Sequence, residues 1–212
     1  MMKYSCMKGM LFLGGELRKT QRLIELTQKA DVSVAADHGA LNALKLGLQP
    51  DHIVGDFDSL PSKDLKKFKK ARIHRYPSNK DKSDGELALE FLLSQNPSEI
   101  IIFGTLGGRP DHSLSALQLL AKIPKTICAK MVSHDFEIFF TEDQVMIHGK
   151  KGDLISLLPL ERKGARVTTH GLFYTLKDQH LHFGSHGLSN RMNAKKAVIK
   201  VLKGALFIFH QL

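Results

Sequence analysis

The feature that most constrains the fold is an alternation, from Met10 to about Ala121, of short apolar runs with segments of helical period. This alternation predicts βα units and a mainly parallel sheet. The strands are predicted at residues 10–13, 32–36, 52–55, 72–76 and 100–103. The helices are predicted at residues 17–29, 40–46, 63–71, 84–93 and 113–121. The first half of the chain is therefore predicted to be an α/β domain.

The second half of the chain has a different pattern. After Pro124 the helical period fades, and short alternating stretches follow one another with glycine-rich turns between them, which is typical of antiparallel β structure. The strands are predicted at residues 136–140, 145–147, 154–157, 172–176 and 198–202. We therefore predict an α/β domain over residues 1–125 and an all-β, sandwich-like domain over residues 126–212, with the boundary between residues 123 and 135.

Composition narrows the class of protein. No apolar run approaches the ~20 residues that a membrane span needs, and the N-terminus lacks the pattern of a signal peptide. We therefore expect a cytoplasmic protein without a membrane partner. The two cysteines, Cys6 and Cys128, are far apart, so we expect neither a disulfide framework nor a structural zinc site.

The net charge of +10 is compatible with nucleic acid, an anionic membrane or an acidic small molecule as a partner. Basic residues are densest between residues 63 and 75, over a predicted amphipathic helix. Because aromatic residues are not interleaved there to stack on bases, a solvated helix face is the better interpretation. Binding of nucleic acid is therefore the weaker alternative.

Four acidic clusters occur where a predicted strand gives way to a loop. They are Ala-Asp-His-Gly at 36–39, Gly-Asp-Phe-Asp-Ser at 55–59, Asp-Lys-Ser-Asp at 81–84 and Gly-Gly-Arg-Pro-Asp-His at 107–112. The carboxyl ends of strands in an open α/β sheet share one edge, so these clusters are expected to converge on a ligand. Carboxylates gathered at one edge repel one another, and a hard cation is the usual reason to tolerate them.

The second cluster is the strongest metal candidate. Gly55 allows the backbone to bend after the strand, and the two-residue spacing places Asp56 and Asp58 on one side of an extended segment. Such a pair suits Mg²⁺ together with phosphate oxygens. The alternative is a turn in which Asp58 or Ser59 caps the following helix.

The first and third clusters each have two interpretations. Asp37 lies at the head of a helix, where it borders an anion site or acts as an N-cap, and its sequence leaves both open. In the third cluster, Ser83 and Glu86 fit a capping box. Lys82 beside two aspartates also suits a site that handles a polyphosphate and its metal.

The fourth cluster combines flexible backbone with a cation. Gly107 and Gly108 let the main chain approach a ligand, and Arg109 can form two parallel bonds with a phosphate. A plain loop with Asp111 as the N-cap of the next helix would explain the aspartate but not the arginine. We therefore favour a binding function for this loop.

In this order and spacing, the four clusters resemble those of the thiamine pyrophosphokinase family. The similarity is closest over residues 36–42 and 47–60, and it extends to residues 152–160, 171–176, 187–190 and 203–204 in the second half. The resemblance implies transfer of the pyrophosphoryl group of ATP to thiamine, giving thiamine diphosphate and AMP. It also implies a homodimer whose active site lies between the subunits.

The resemblance assigns roles to individual residues. It implies a catalytic set of Asp56, Asp58, Asp84 and Asp111, of which Asp111 orients or deprotonates the thiamine hydroxyl. Mg²⁺ is expected at Asp56, Asp58 and Asp84. ATP is expected to contact Asp37, Lys82, Ser83, Gly107, Gly108 and Arg109. Thiamine is expected to contact Ser189 and Asn190 of the partner chain.

Two alternatives remain open from the sequence. A related diphosphokinase acting on another alcohol, such as a pterin, is one, because the loop over residues 183–190 is shorter than the common form. The other is a module that binds a nucleotide or RNA without catalysis.

Overall fold

The computed structural model describes residues 7–58, 60 and 62–212 of the chain. It divides into two compact units, of which the first ends at His134 and the second spans Asp135–Leu212. A mainly parallel α/β unit followed by an antiparallel β unit confirms the predicted fold class. The strand over Cys128–Val132 pairs with the parallel sheet and so belongs to the first unit.

The described part of the first unit is a six-stranded parallel sheet with helices. Its strands are β1 (Lys8–Phe12), β2 (Val32–Ala36), β3 (His52–Gly55), β4 (Arg72–Arg75), β5 (Glu99–Phe103) and β6 (Cys128–Val132). Its helices are α1 (Gln21–Thr27), α2 (Gly39–Lys45), α3 (Ser62–Leu65), α4 (Asp84–Ser94) and α5 (Pro110–Lys122).

The order of the strands creates a binding position. Along the sheet they run β6-β5-β1-β2-β3-β4, and all neighbouring pairs are parallel. The chain adds strands on one side of β1 up to β4 and then continues with β5 on its other side. The connection after β1 leads to β2 on one side, and the connection after β5 leads to β6 on the other side. The two connections leave a crevice at the carboxyl ends of β1 and β5, which is where open α/β sheets bind ligands.

The core of the first unit holds this edge in place. The rings of Phe12 and Phe103 stack with centroids 4.8 Å apart, at the ends of the neighbouring strands β1 and β5. Both side chains are fully buried. Burial of one such side chain stabilises a fold by about 1.5–3 kcal/mol. Buried packing therefore holds the ends of β1 and β5, where the next loops begin, in place.

The second unit contains two antiparallel sheets. Their orders are β12-β9-β14-β7 and β11-β10-β13-β8. Apolar residues of both sheets form one buried cluster, so the predicted sandwich-like arrangement is confirmed. The strands are β7 (Phe136–Thr141), β8 (Gln144–His148), β9 (Leu154–Pro159), β10 (Ala165–His170), β11 (Gln179–Leu181), β12 (Asn190–Arg191), β13 (Lys196–Lys203) and β14 (Leu206–Gln211).

Three predicted elements differ most from the structure, and the first of them is the helix predicted at 17–29, which is limited to α1 (Gln21–Thr27). The strand predicted at 172–176 is not formed, because only Leu172 pairs, in an isolated bridge with Met192. The helix predicted at 63–71 is limited to α3, and the chain then turns so that Phe68 is buried. Among the residues that the structure describes, every helix is too short or too polar to cross a membrane.

Candidate nucleotide and metal site

A cleft of about 530 Å³ opens at the carboxyl ends of the parallel strands. Its walls come from the loops after β1, β2, β3, β4 and β5, from the start of α4 and from one side of α5. The acidic side chains on these walls are Asp37, Asp56, Asp58 and Asp84. All four sequence clusters thus contribute residues to the cleft, and the acidic side chains come from the first three.

The loop after β3 holds its two aspartates in an unusual backbone conformation. Gly55 has φ +157°, and a side chain there would meet Asp37 and Asp84 at 3.1 and 3.2 Å. Phe57 has φ +66°, which is uncommon for a bulky residue. Its ring packs against the core of the unit and lies under the Arg75 guanidinium, 4.7 Å from the ring centroid. These two contacts fix the residue between Asp56 and Asp58.

Asp37 joins this pair from β2. Its side chain is buried, at 5% exposure, and its backbone has φ +42°. His38, not Asp37, is the N-cap residue of α2, so the capping interpretation of Asp37 is wrong. Asp37, Asp56 and Asp58 each offer a carboxylate oxygen within 4.8 Å of the other two. Two unit charges 4.8 Å apart repel by about 3.5 kcal/mol at an effective dielectric constant of 20, and closer charges repel more strongly.

This set of oxygens fits a hard divalent cation. Mg²⁺ takes oxygen ligands, is bound through a few carboxylates, and keeps its other positions for water or phosphate. A group of three carboxylates beside an open cleft provides these conditions. The predicted ion set of Asp56, Asp58 and Asp84 differs from this group in one member, because the structure places Asp37 closer to the pair.

Asp84 is instead linked to Asp56 through Lys80. The Lys80 Nζ atom lies 3.0 Å from Asp56 Oδ2 and 3.1 Å from Asp84 Oδ1. The hydrogen bond from Lys80 lowers the pKa of Asp56. Burial raises the pKa of Asp84, although Lys80 opposes this effect. Two neighbouring carboxyl groups therefore differ in how readily they carry a charge.

Sequence reasoning missed Lys80. It selected Lys82, two residues further on, whose ammonium group pairs with Glu90 at 2.7 Å. Both lysines line the cleft, but only Lys80 contacts its carboxylates in the described structure. Helical spacing gave no signal for this contact, because α4 begins at Asp84 and Lys80 lies in the loop before it.

Ser83 has the structural role that its motif predicts. It is the N-cap of α4, and its hydroxyl oxygen accepts a hydrogen bond from the Glu86 N–H at 3.2 Å. This cap fixes the start of α4 and hence the position of Asp84. Ser83 also lines the cleft, so capping and a contact with a ligand are compatible.

The loop after β5 reaches the cleft in part. Gly107 and Arg109 line it, while Gly108 donates its N–H to Glu16 Oε1 at 3.1 Å and borders a neighbouring depression. Arg109 forms two hydrogen bonds with Asp111, and this contact lowers the pKa of Asp111. Asp111 is exposed and lines neither space. Arg109 precedes α5 as its N-cap, so the capping interpretation of Asp111 is wrong.

Ser189 and Asn190 lie in the second unit. Asn190 is buried, and its amide group bonds the backbone of Tyr174 on both sides, accepting from the N–H at 3.0 Å and donating to the carbonyl at 2.8 Å. Ser189 is exposed at φ +60°, and its N–H donates to the Ser156 hydroxyl at 3.2 Å. Asn190 therefore shapes the segment that presents Phe173 and Tyr174, whose rings are exposed.

Comparisons with known families match both units. The model of the thiamin pyrophosphokinase catalytic domain matches residues 23–132. The model of the thiamin pyrophosphokinase vitamin B1 binding domain matches residues 137–206. Together these matches cover most of the chain and divide it where the structure does.

Curated proteins and solved structures agree with these models. A thiamine pyrophosphokinase of Bacillus subtilis is 29% identical over 201 residues, covering 92% of this chain and 94% of the relative. A thiamin pyrophosphokinase of Caenorhabditis elegans is 26% identical, covering 96% and 89%. The crystal structure of a thiamine pyrophosphokinase from Bacillus subtilis matches with a TM-score of 0.83 at 26% identity, covering 96% of this chain and 98% of that one.

Proposed function

The chain belongs to the thiamin pyrophosphokinase family, and we infer that it transfers the pyrophosphoryl group of ATP to thiamine, giving thiamine diphosphate and AMP. The observation that carries this function in the structure is the cleft with its four aspartates. The alternatives left open by the sequence, another alcohol acceptor or a binding module without catalysis, are not favoured by the comparisons.

The reaction defines what the site must do. The hydroxyl oxygen of thiamine forms a bond with the β-phosphorus of ATP, and the bond from that phosphorus to the oxygen bridging the α- and β-phosphates breaks. AMP leaves with this oxygen, and the hydroxyl proton passes to a base. Such a transfer depends on alignment of the two oxygens and on compensation of phosphate charge.

For the metal, we propose Mg²⁺ at Asp56 and Asp58 with a contribution from Asp37 or Asp84. The proximity of the oxygens of Asp37, Asp56 and Asp58 supports this site. Mg²⁺, when bound, compensates negative charge on the phosphates. The strained backbone at Phe57 directs the two carboxylates toward the cleft, and Asp84 holds Lys80 beside them.

For the nucleotide, we propose that ATP lies along the cleft. Lys82 and Arg109 provide positive charge, because both line the cleft and the carboxylates that they contact are exposed. Asp37, Ser83 and the backbone of Gly107 and Gly108 complete the proposed contacts. Binding of a phosphate to Arg109 would release Asp111, and we propose that the released carboxylate then acts on the thiamine hydroxyl.

For the acceptor, we propose Ser189 and Asn190 as the thiamine-binding residues of a homodimer. The amide of Asn190 is engaged with Tyr174, so its proposed contribution is to position the exposed aromatic pair. A C₂ dimer brings the same surface of each chain to its partner. The cytoplasmic location remains a prediction.

The nucleotide product tests this function. Purified protein is incubated with ATP, Mg²⁺ and thiamine, and the products are separated by ion-exchange chromatography. We expect AMP and thiamine diphosphate in equal amounts. Formation of ADP in place of AMP would refute pyrophosphoryl transfer, and AMP formed only with a pterin alcohol would support the alternative acceptor.

A matched pair of variants connects the activity to the cleft. We expect Asp58→Asn to lower kcat by about a hundredfold or more, as loss of charge stabilisation at an active site does. Asp31→Asn is the control, since Asp31 is exposed at the opposite end of β2, where its carboxylate accepts from the Lys8 N–H. Equal losses in both variants would contradict a specific role for Asp58.

A further inference from the structure

Lys80 is enclosed between two carboxylates of the cleft. Its side chain is only 15% exposed, and its Nζ atom lies 3.0 Å from Asp56 Oδ2 and 3.1 Å from Asp84 Oδ1. A lysine usually keeps its ammonium group in water. Two charged contacts and low exposure therefore mark Lys80 as part of the cleft.

Asp56 takes part in two different arrangements. Its Oδ1 atom accepts the Asp58 N–H at 3.2 Å, and its Oδ2 atom is bound by Lys80. Asp56 is also a member of the three-carboxylate group with Asp37 and Asp58. A divalent cation that binds this group therefore meets an Asp56 carboxylate whose two oxygens are both engaged, one by the Asp58 N–H and the other by Lys80.

The second partner of Lys80 does not belong to that group. Asp84 begins α4, where the Ser83 cap fixes its position, and it contacts Lys80 four residues earlier in the chain. Lys80 can therefore leave Asp56 and still keep one carboxylate. Its flexible four-carbon stem carries a compact charge that binds phosphate oxygens well.

We propose that Lys80 is a displaceable counter-ion, which holds Asp56 and Asp84 together before substrates bind and then releases Asp56 to the metal while its ammonium group turns to a phosphate of ATP. The contact of Lys80 with a phosphate of ATP rests on the proposed function. The competition between Lys80 and a cation for Asp56 rests only on the contacts of Lys80 with Asp56 and Asp84. Lys80 thus competes with a cation for Asp56 and cooperates with the nucleotide.

This role predicts opposite effects on two ligands. Removal of the Lys80 charge strengthens the binding of a divalent cation alone, because the competitor for Asp56 is gone. The same change weakens the binding of ATP without metal, because a cation for phosphate is lost. A merely structural role for Lys80 would weaken both, since collapse of the loop would displace Asp56 and Asp84 together.

The experiment measures both affinities on the full chain. Mn²⁺, which binds carboxylate sites of this kind, is titrated without nucleotide and followed by electron paramagnetic resonance. ATP is titrated by calorimetry in the presence of EDTA and without thiamine. For Lys80→Met we expect Mn²⁺ to bind about tenfold more tightly and ATP about tenfold more weakly, each change corresponding to about 1.4 kcal/mol.

Three further variants control the result. Lys122→Met removes the same charge from α5, where Lys122 pairs with Glu86 away from the cleft, and we expect both affinities to be unchanged. Lys80→Arg keeps the charge and is expected to keep the wild-type affinity for Mn²⁺. Lys80→Gln gives a second charge-removing variant if Lys80→Met does not fold.

The outcomes separate this proposal from the proposed function. Unchanged or weaker Mn²⁺ binding in the charge-removing variants refutes the counter-ion role, whatever the nucleotide does. Tighter Mn²⁺ binding with unchanged ATP binding refutes the contact with phosphate. If ATP fails to bind the wild-type protein, the phosphate contact and the proposed function fail together, and the Mn²⁺ titration still decides the counter-ion role.

Discussion

His210 gives the second unit a predictable dependence on pH. It lies on β14 and is fully buried, with its Nε2 atom 3.1 Å from Asp153 Oδ2 and its Nδ1 atom 4.0 Å from Glu137 Oε2. Burial alone would lower the pKa of His210, but the two carboxylates outweigh burial and raise it above the ordinary value of 6.5. The folded chain therefore keeps the proton on His210 to higher pH than the unfolded chain does.

The sign and size of the effect follow from this difference. Below pH 6.5 the imidazole is protonated in both states, and the stabilisation by Asp153 and Glu137 is fully present. Above pH 6.5 the unfolded state loses its proton first, so the free energy of unfolding falls as the pH rises. The fall is at most about 1.4 kcal/mol per pH unit for one proton, and it ends once the pH exceeds the pKa of folded His210.

Urea unfolding followed by far-ultraviolet circular dichroism, between about pH 6.5 and pH 8, measures this slope. We expect His210→Gln to reduce the slope and His170→Gln to leave it unchanged, since His170 is an exposed histidine of the same unit. Asp153→Asn removes one carboxylate and should reduce the slope as well. A wild-type slope retained in His210→Gln would refute the assignment of the proton to this residue.

Two other predictions concern single hydrogen-bonding side chains. We expect Ser83→Ala to lower the free energy of unfolding by about 1 kcal/mol through loss of the α4 cap, and Ser83→Thr to retain most of it in the same urea titration. Asn190→Ala leaves the backbone N–H and carbonyl of Tyr174 without their amide partner. We expect Asn190→Ala to lower the free energy of unfolding by about 1–3 kcal/mol. We also expect it to raise KM for thiamine without changing KM for ATP. Equal changes in both KM values would contradict the proposed role of Asn190.

The elements that carry the site were the ones most readily predicted from the sequence. The predicted bounds of β2 and β3 agree with the structure, because each apolar run ends where the chain turns outward at Asp37 or Asp56. The expectation that acidic clusters converge also follows from strand polarity alone. What the sequence does not contain is the order of the strands, which places the cleft between β1 and β5.

Other parts depend on contacts that spacing does not reveal. Lys80 and Lys82 are both basic residues of the loop before α4, and only side-chain packing directs one to Asp56 and the other to Glu90. The segment at 172–176 alternates like a strand, yet the Asn190 amide takes the Tyr174 backbone groups that a neighbouring strand would use. In both cases a side chain that is distant in the sequence determines the local structure.

The strained residues of the cleft show how the first unit tolerates repelling carboxylates. Asp37 and Phe57 both have positive φ, and such conformations cost about 1–3 kcal/mol each. Each of these residues has a stabilising contact. The Asp37 N–H donates to the Val54 carbonyl at 2.9 Å and so extends the pairing of β2 with β3. The Phe57 ring packs on the core beneath Arg75. Because Phe57 is only partly buried, its packing offsets part of this cost. The stability of the sheet is therefore what keeps Asp37, Asp56 and Asp58 within reach of one cation.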